Sequence, residues 1–213
     1  MEMRLNKNKK SFMAKNYPPI KDVDSLEAKV NHSMVLYDKE EYGRLVKNRF
    51  IENGLKKGES SVCLTHDDII LVENELEEYG IDVDLFKRRK QLHIFQIENI
   101  LESKDGIEQG YHKLLKQITS DPKPPYRFTG RIIPDVSTKK GIEAELVIER
   151  LYHSNFHKYQ SSFLCTYPVN EVEETKRSHW ITQLMENHHH LIYATDPANA
   201  VTFDPDLLRS FTD

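Results

Sequence analysis

Three things are scarce in this chain of 213 residues: cysteine, long apolar runs, and glycine where a loop could hold a phosphate. The two cysteines, Cys63 and Cys165, each lie in an apolar, strand-like run (SVCL and SFLCTY). Buried free thiols usually sit in such runs, so no disulfide framework is expected. No apolar stretch approaches the roughly 18 to 20 residues that a membrane helix needs. The N-terminus carries an NKNKK run and lacks the apolar stretch of a signal peptide, so a cytoplasmic location without a membrane partner is expected. Lys and Arg number 30 against 34 Asp and Glu, a net charge of −4, which is neither a broad basic field nor an acidic disordered tail. Direct nucleic-acid binding is not expected, because the short basic terminus has neither the length nor the periodicity of a helix-turn-helix.

What is present is a repeated order of strand then helix, the pattern of an α/β core with a mainly parallel sheet, since parallel neighbours need crossover helices between them. VNHSMVLY predicts strand one. EEYGRLVKNRFIENGL predicts a helix with Leu45, Val46, Phe50 and Leu55 at helical spacing, stopped near Gly54. Ser61 to Thr65 is strand two, followed by a helix that Asp67 or Asp68 can cap and that Gly80 ends. Leu92 to Ile97 is strand three, Ile107 to Ile118 a helix, YRFTGRI a strand, and GIEAELVIERLYHSNF a long amphipathic helix. SSFLCTYP is a further strand, ETKRSHWITQLMEN a helix, and HHLIYA the last strand. Three segments result: a mobile basic segment over 1–28, whose lysine-rich tail leads into an extended stretch and one short helix, a domain over 29–196, and a polar tail over 197–213.

The first strand runs into Asp38-Lys39-Glu40-Glu41. A nucleotide-hydrolysing α/β protein would carry a glycine-rich loop with Lys and Ser/Thr there, whose amides cradle phosphates. Adjacent carboxylates at that place repel a phosphate. The architecture is therefore that of a nucleotide hydrolase without its phosphate loop.

FIENGLKKGESSVCLTHDD, EYGIDVD with QLHIF, YRFTGR, and FLCTYP followed by a helix and HHLIYA resemble the MEDS domain, the sensory module named after methanogens, methylotrophs and the DcmR regulator. The resemblance spans about residues 30 to 196. It implies a three-layer RecA/KaiC-like sandwich whose Walker A loop is lost. It also implies a non-catalytic sensor of small organic molecules, tied to a transcription regulator or a histidine kinase. In the family an acidic residue usually stands where this chain has Arg131.

In open α/β sheets ligands bind beyond the carboxyl ends of the parallel strands. That rule selects Tyr37 and Asp38, then His66, Asp67 and Asp68, then Gln96 with Glu98, then Gly130 and Arg131, and finally Tyr167. Two tyrosines, a histidine, carboxylates and an arginine suit a small polar or anionic molecule, with Arg131 as the fork for a carboxylate or phosphate. Each also has an ordinary reading. Asp67 and Asp68 suit helix caps, Tyr37 and Tyr167 suit half-buried strand ends, and Arg131 can pair with Asp135.

The run His188-His189-His190, read as part of a strand, places His188 and His190 on one face as candidate metal ligands, with a third to come from elsewhere, such as His179. His32, and the cluster His153, Asn155 and His157, offer no nucleophile partner, and neither cysteine stands beside a histidine as a dyad. The expectation is a sensory or signal-transduction domain that binds a small organic ligand or a regulatory partner and needs no cofactor. A residual nucleotide-binding or hydrolysing protein using Arg131 and Lys39 is one alternative. An assembly protein that forms homo-oligomers through the helix over 141–156 is the other.

Overall fold

The structure, a computed structural model, describes residues 17–26, 31–170 and 180–204. The basic run at the N-terminus, His179 and residues 205–213 of the tail lie outside these. In chain order the elements are α1 (Pro18–Ser25), β1 (Asn31–Tyr37), α2 (Glu40–Lys57), β2 (Ser60–Thr65), α3 (Ile69–Tyr79), α4 (Val83–Arg88) and β3 (Leu92–Gln96). A single 3-10 turn (Ile100–Glu102) leads to α5 (Ile107–Ile118), β4 (Tyr126–Thr129), α6 (Lys139–Tyr159), β5 (Ser161–Pro168), α7 (Trp180–Glu186), β6 (His190–Ala194) and β7 (Val201–Phe203).

The strands form one sheet in the order β3-β2-β4-β5-β1-β6-β7, parallel throughout except for β7, which runs antiparallel to β6. Helices cover both faces, as a parallel sheet requires. Alternation along the strands divides the core. Met34 and Leu36 of β1 and Phe163 and Cys165 of β5 face α5, α6 and α7, whereas Val35 and Leu164 face α1 and α2. Each large aliphatic or aromatic side chain sealed in these layers contributes about 1.5–3 kcal/mol. Among the described residues no helix is long and apolar enough to cross a membrane.

In the N-terminal segment, where a short helix is expected, α1 packs Tyr17, Ile20, Val23 and Leu26 into the core, and the Arg49 guanidinium grips Asp24 through two hydrogen bonds of 2.6 and 2.8 Å. Two expectations change. The C-terminal tail contributes β7, whose register pairs Leu191 with Phe203. And α2 does not stop at Gly54 but runs to a left-handed cap at Gly58.

Gly54 is needed inside the helix for space. A Cβ there would lie 2.5 Å from Arg127 Cδ and 2.8 Å from Ser61 Oγ. Arg127, on β4, is 1% exposed. Its Nε donates to the Glu59 carboxylate, its Nη1 to the Phe50 carbonyl at 3.3 Å and its Nη2 to the Leu26 carbonyl at 3.2 Å. Its guanidinium lies 4.8 Å from the Phe50 ring centroid. A buried cation held by an anion, two carbonyls and a ring face is a closed set.

Candidate functional site

The ends of the strands hold most of the residues that sequence reasoning selected. Tyr37 closes β1 and lies against the first turn of α2, where a Cβ on Gly43 would come within 2.7 Å of its ring. Its hydroxyl donates to Glu40 Oε1 at 2.7 Å. The next residue, Asp38, accepts from Thr195 Oγ1 at 2.7 Å through Oδ2, joining the ends of β1 and β6. Its Oδ1 is buried without a hydrogen-bond partner. Lys39 is the N-cap of α2 and caps it with no side-chain bond, while Glu40 and Glu41 occupy the first turn. The place of a phosphate loop is thus built from acidic side chains.

His66 sits with its two ring nitrogens each 3.1 Å from a carbonyl, Nδ1 from Ile97 and Nε2 from Ile132. Those carbonyls belong to the segments after β3 and β4, so the ring ties three strand ends together. A neutral imidazole has one N–H for the two of them. Asp68 is the cap of α3, accepting from Ile70 N at 2.9 Å, and Asp67 is exposed, its own amide donating to Thr65 Oγ1 at 3.0 Å. Gln96 and Glu98 are also exposed. Gly130 has φ +109°, and a Cβ there would fall 2.1 Å from the Leu64 carbonyl oxygen, so only glycine lets the β4 end pass this close to β2. Half-buried Arg131 donates through Nη2 to the Pro134 carbonyl at 3.4 Å.

Tyr167 belongs elsewhere. It is fully buried and turned toward α6, where its hydroxyl lies 2.8 Å from Glu145 Oε1 and makes a shorter contact with Glu149 Oε1. Glu149 is the centre of a sealed polar cluster under the α6 face of the sheet. Its Oε2 lies 2.8 Å from His32 Nε2, 3.3 Å from His188 Nε2 and 3.6 Å from Cys165 Sγ. His32 Nε2 is 3.4 Å from Cys165 Sγ. Ligand-type atoms of all four residues lie within 4.8 Å of one another.

Local structure explains each position. His32 shares the α6-facing side of β1 with Met34, and Cys165 sits opposite Met34 in the β1–β5 register. Glu145 and Glu149 are four apart on α6 and so project side by side. His188 lies in the turn before β6, not on the strand, and is 3% exposed; His190 opens β6 and is only half-buried. The two therefore do not form the pair that alternation suggested. His32 and Cys165 do meet, although 133 residues separate them, because β1 and β5 are sheet neighbours.

The protons in the cluster can be placed. Burial works to raise the Glu149 carboxyl, but the His188 and His32 rings hold it well below the usual carboxylate range. Burial, and then the charge of Glu149, push Glu145 up to about 8. The Tyr167 hydroxyl bridges Glu145 Oε1 and Glu149 Oε1, and its single hydrogen serves one carboxylate at a time. Burial, and then its neighbour His188, lower His32 to about 4, which leaves it neutral. Burial, and then Glu149, push the Cys165 thiol well up, so the Cys165–His32 contact is no activated nucleophile pair. His188 Nδ1 is 2.6 Å from the Leu184 carbonyl, which can only accept, so Nδ1 carries the hydrogen. His188 Nε2 faces Glu149 Oε2 at 3.3 Å without a hydrogen-bond partner.

The family model of the MEthanogen/methylotroph, DcmR Sensory domain (MEDS) matches residues 31–189, about three quarters of the chain. Among curated proteins none is significantly similar to it. Among solved structures, a KaiC-like protein from the hyperthermophilic archaeon Pyrococcus horikoshii OT3 is similar with a TM-score of 0.60 at 9% identity, over 88% of this chain and 83% of that one. At that identity the likeness concerns the fold, a RecA/KaiC-type sandwich.

Proposed function

The chain belongs to the MEDS family of sensory domains, and from that premise we propose that it is a non-catalytic sensor that takes a small organic ligand or a regulatory partner at the carboxyl ends of its parallel strands. One observation carries the reading: the end of β1, where a RecA-type ATPase would grip phosphates, presents Asp38, Glu40 and Glu41, with Asp38 Oδ1 buried and unpartnered. Such a surface repels phosphate and suits a ligand that donates a hydrogen bond. Gly130, His66 and Tyr37 shape the same rim. The signal passes by contact to a transcription regulator or a histidine kinase, the class of partner that the family implies.

Thermal unfolding of the purified chain against small organic metabolites and nucleotides tests this, because a ligand selective for the folded state stabilises by RT ln(1 + [L]/Kd). A rise in Tm with an organic metabolite, lost in Asp38→Asn, supports the sensor. A rise with nucleotide alone, lost when Lys39 and Arg131 are replaced, overturns it in favour of a residual nucleotide-binding protein.

A further inference from the structure

We propose that His32, Glu149, Cys165 and His188 form a closed, four-coordinate site for one divalent first-row metal ion of the zinc type, inside the α6-facing core. This goes beyond the strand-end sensor and does not depend on it.

Four observations carry it. The donor set is two imidazoles, one thiolate and one carboxylate, the mixture that zinc takes in tetrahedral sites. The spacing fits: bonds of about 2.0–2.3 Å to a tetrahedral ion put ligand atoms about 3.3–3.8 Å apart. The contacts of 3.3, 3.4 and 3.6 Å fall in that range, and the 2.8 Å contact between His32 and Glu149 would open slightly.

The third observation is orientation. Metal-bound histidines donate their other N–H to a carbonyl or carboxylate, and His188 Nδ1 already lies 2.6 Å from the Leu184 carbonyl, which aims Nε2, without a hydrogen-bond partner, at the cluster. Tyr167 does the equivalent for Glu149: it holds Oε1, the oxygen that faces away from the histidines and the cysteine, and leaves Oε2 toward them. The fourth is charge. Glu149 is fully buried, and the described groups around its carboxylate are His32, His188, Cys165 and Tyr167, with no Lys or Arg among them. A divalent ion bound to one carboxylate and one thiolate makes a neutral centre, and the bound thiol releases its proton to solvent. The ion would clamp β1, α6, β5 and the turn before β6 to one point.

Because the site is sealed, the metal is best supplied while the chain folds. The full chain is expressed in cobalt-supplemented and in zinc-supplemented medium, purified without a metal-affinity step, and analysed for elements and by absorption spectroscopy. The expected result is about one metal per chain. The cobalt form should show a thiolate-to-cobalt band in the near ultraviolet and the intense visible bands of four-coordinate cobalt. Cys165→Ser should remove the thiolate band, His188→Gln should lower occupancy at least tenfold, and Tyr167→Phe should weaken retention against a chelator by about 10- to 100-fold. His190→Ala should change none of these.

Folded protein with no stoichiometric metal from either medium would overturn the proposal. So would cobalt that survives both Cys165→Ser and His188→Gln with the pale spectrum of six-coordinate surface binding at His153 and His189. Circular dichroism confirms that each variant is folded. Failure of the strand-end sensor would leave every one of these readouts unchanged.

Discussion

The sheet buries one charged centre on each face, and the two are built to opposite rules. On the α2 face Arg127 meets Glu59, the Phe50 and Leu26 carbonyls and the Phe50 ring, so its charge is neutralised and each of its three nitrogens donates a hydrogen bond. On the α6 face Glu149 gathers Tyr167, His32, His188 and Cys165, no Lys or Arg among the described residues pairs with it, and His188 Nε2 and His32 Nδ1 are left without hydrogen bonds. A folded core tolerates the first as structure. The second leaves two imidazole nitrogens without hydrogen bonds and a carboxylate without Lys or Arg in a dry interior, which is costly unless something completes it. A buried polar group therefore points to function by what it leaves open rather than by being buried.

The sharpest way to break this contrast is Arg127→Met. It strands Glu59 in the core and should destabilise by about 3–5 kcal/mol in urea unfolding. The double change Arg127→Met with Glu59→Gln should recover part of that, and a single-variant loss under about 1 kcal/mol would mean that the arginine set is not closed.

Gly54→Ala should cost about 1–3 kcal/mol by pressing on Arg127, and in the Arg127→Met background much less. Additive losses would show that the helix has other reasons to keep glycine there.

On the opposite face, Glu149→Gln in chelator-treated protein should shift unfolding by less than about 2 kcal/mol, since it removes an unbalanced buried anion as well as its bonds. A loss equal to that of Arg127→Met would erase the difference between the two faces. Tyr167→Phe should cost about 1 kcal/mol, the value of one hydroxyl bridging Glu145 and Glu149.

The smallest effect sets the scale for an exposed pair. Burial alone would raise Asp24, but the hydrogen bond from Arg49, then Asn53, holds it below its ordinary value of 3.8. A depressed carboxyl stabilises above the unfolded value and loses that contribution as pH falls through the folded one. Asp24→Asn should thus cost about 0.5 kcal/mol at neutral pH and nothing at the acid end, read as converging unfolding curves below the ordinary carboxylate range.

Much of this fold was legible in the chain. β5 spans Ser161–Pro168 and α5 spans Ile107–Ile118, as the apolar patterns indicate, because alternation and helical spacing are local signals. β7 escaped notice because three residues, Val201 to Phe203, are too few to show alternation, and their strand character comes from pairing with β6. Gly54 misled because a glycine that makes room for a distant arginine reads like one that ends a helix. The strand-end residues followed from topology alone. The buried cluster did not: Glu145 and Glu149 show their four-residue spacing, but the meeting of His32 with Cys165 depends on β5 lying beside β1, an order that no local pattern encodes. A buried-face histidine in a strand was the one available signal.

The two margins of the sheet differ in what they offer to another chain. β7 presents three residues, too short a template for strand addition. β3 presents five, but Lys87 and Lys90 stand beside it, with Lys90 reaching toward Asp121 at 3.7 Å. A strand that docked there would have to strip water from those ammonium groups. Among the described residues, then, neither margin of the sheet offers a long, uncharged strand for a second sheet to extend.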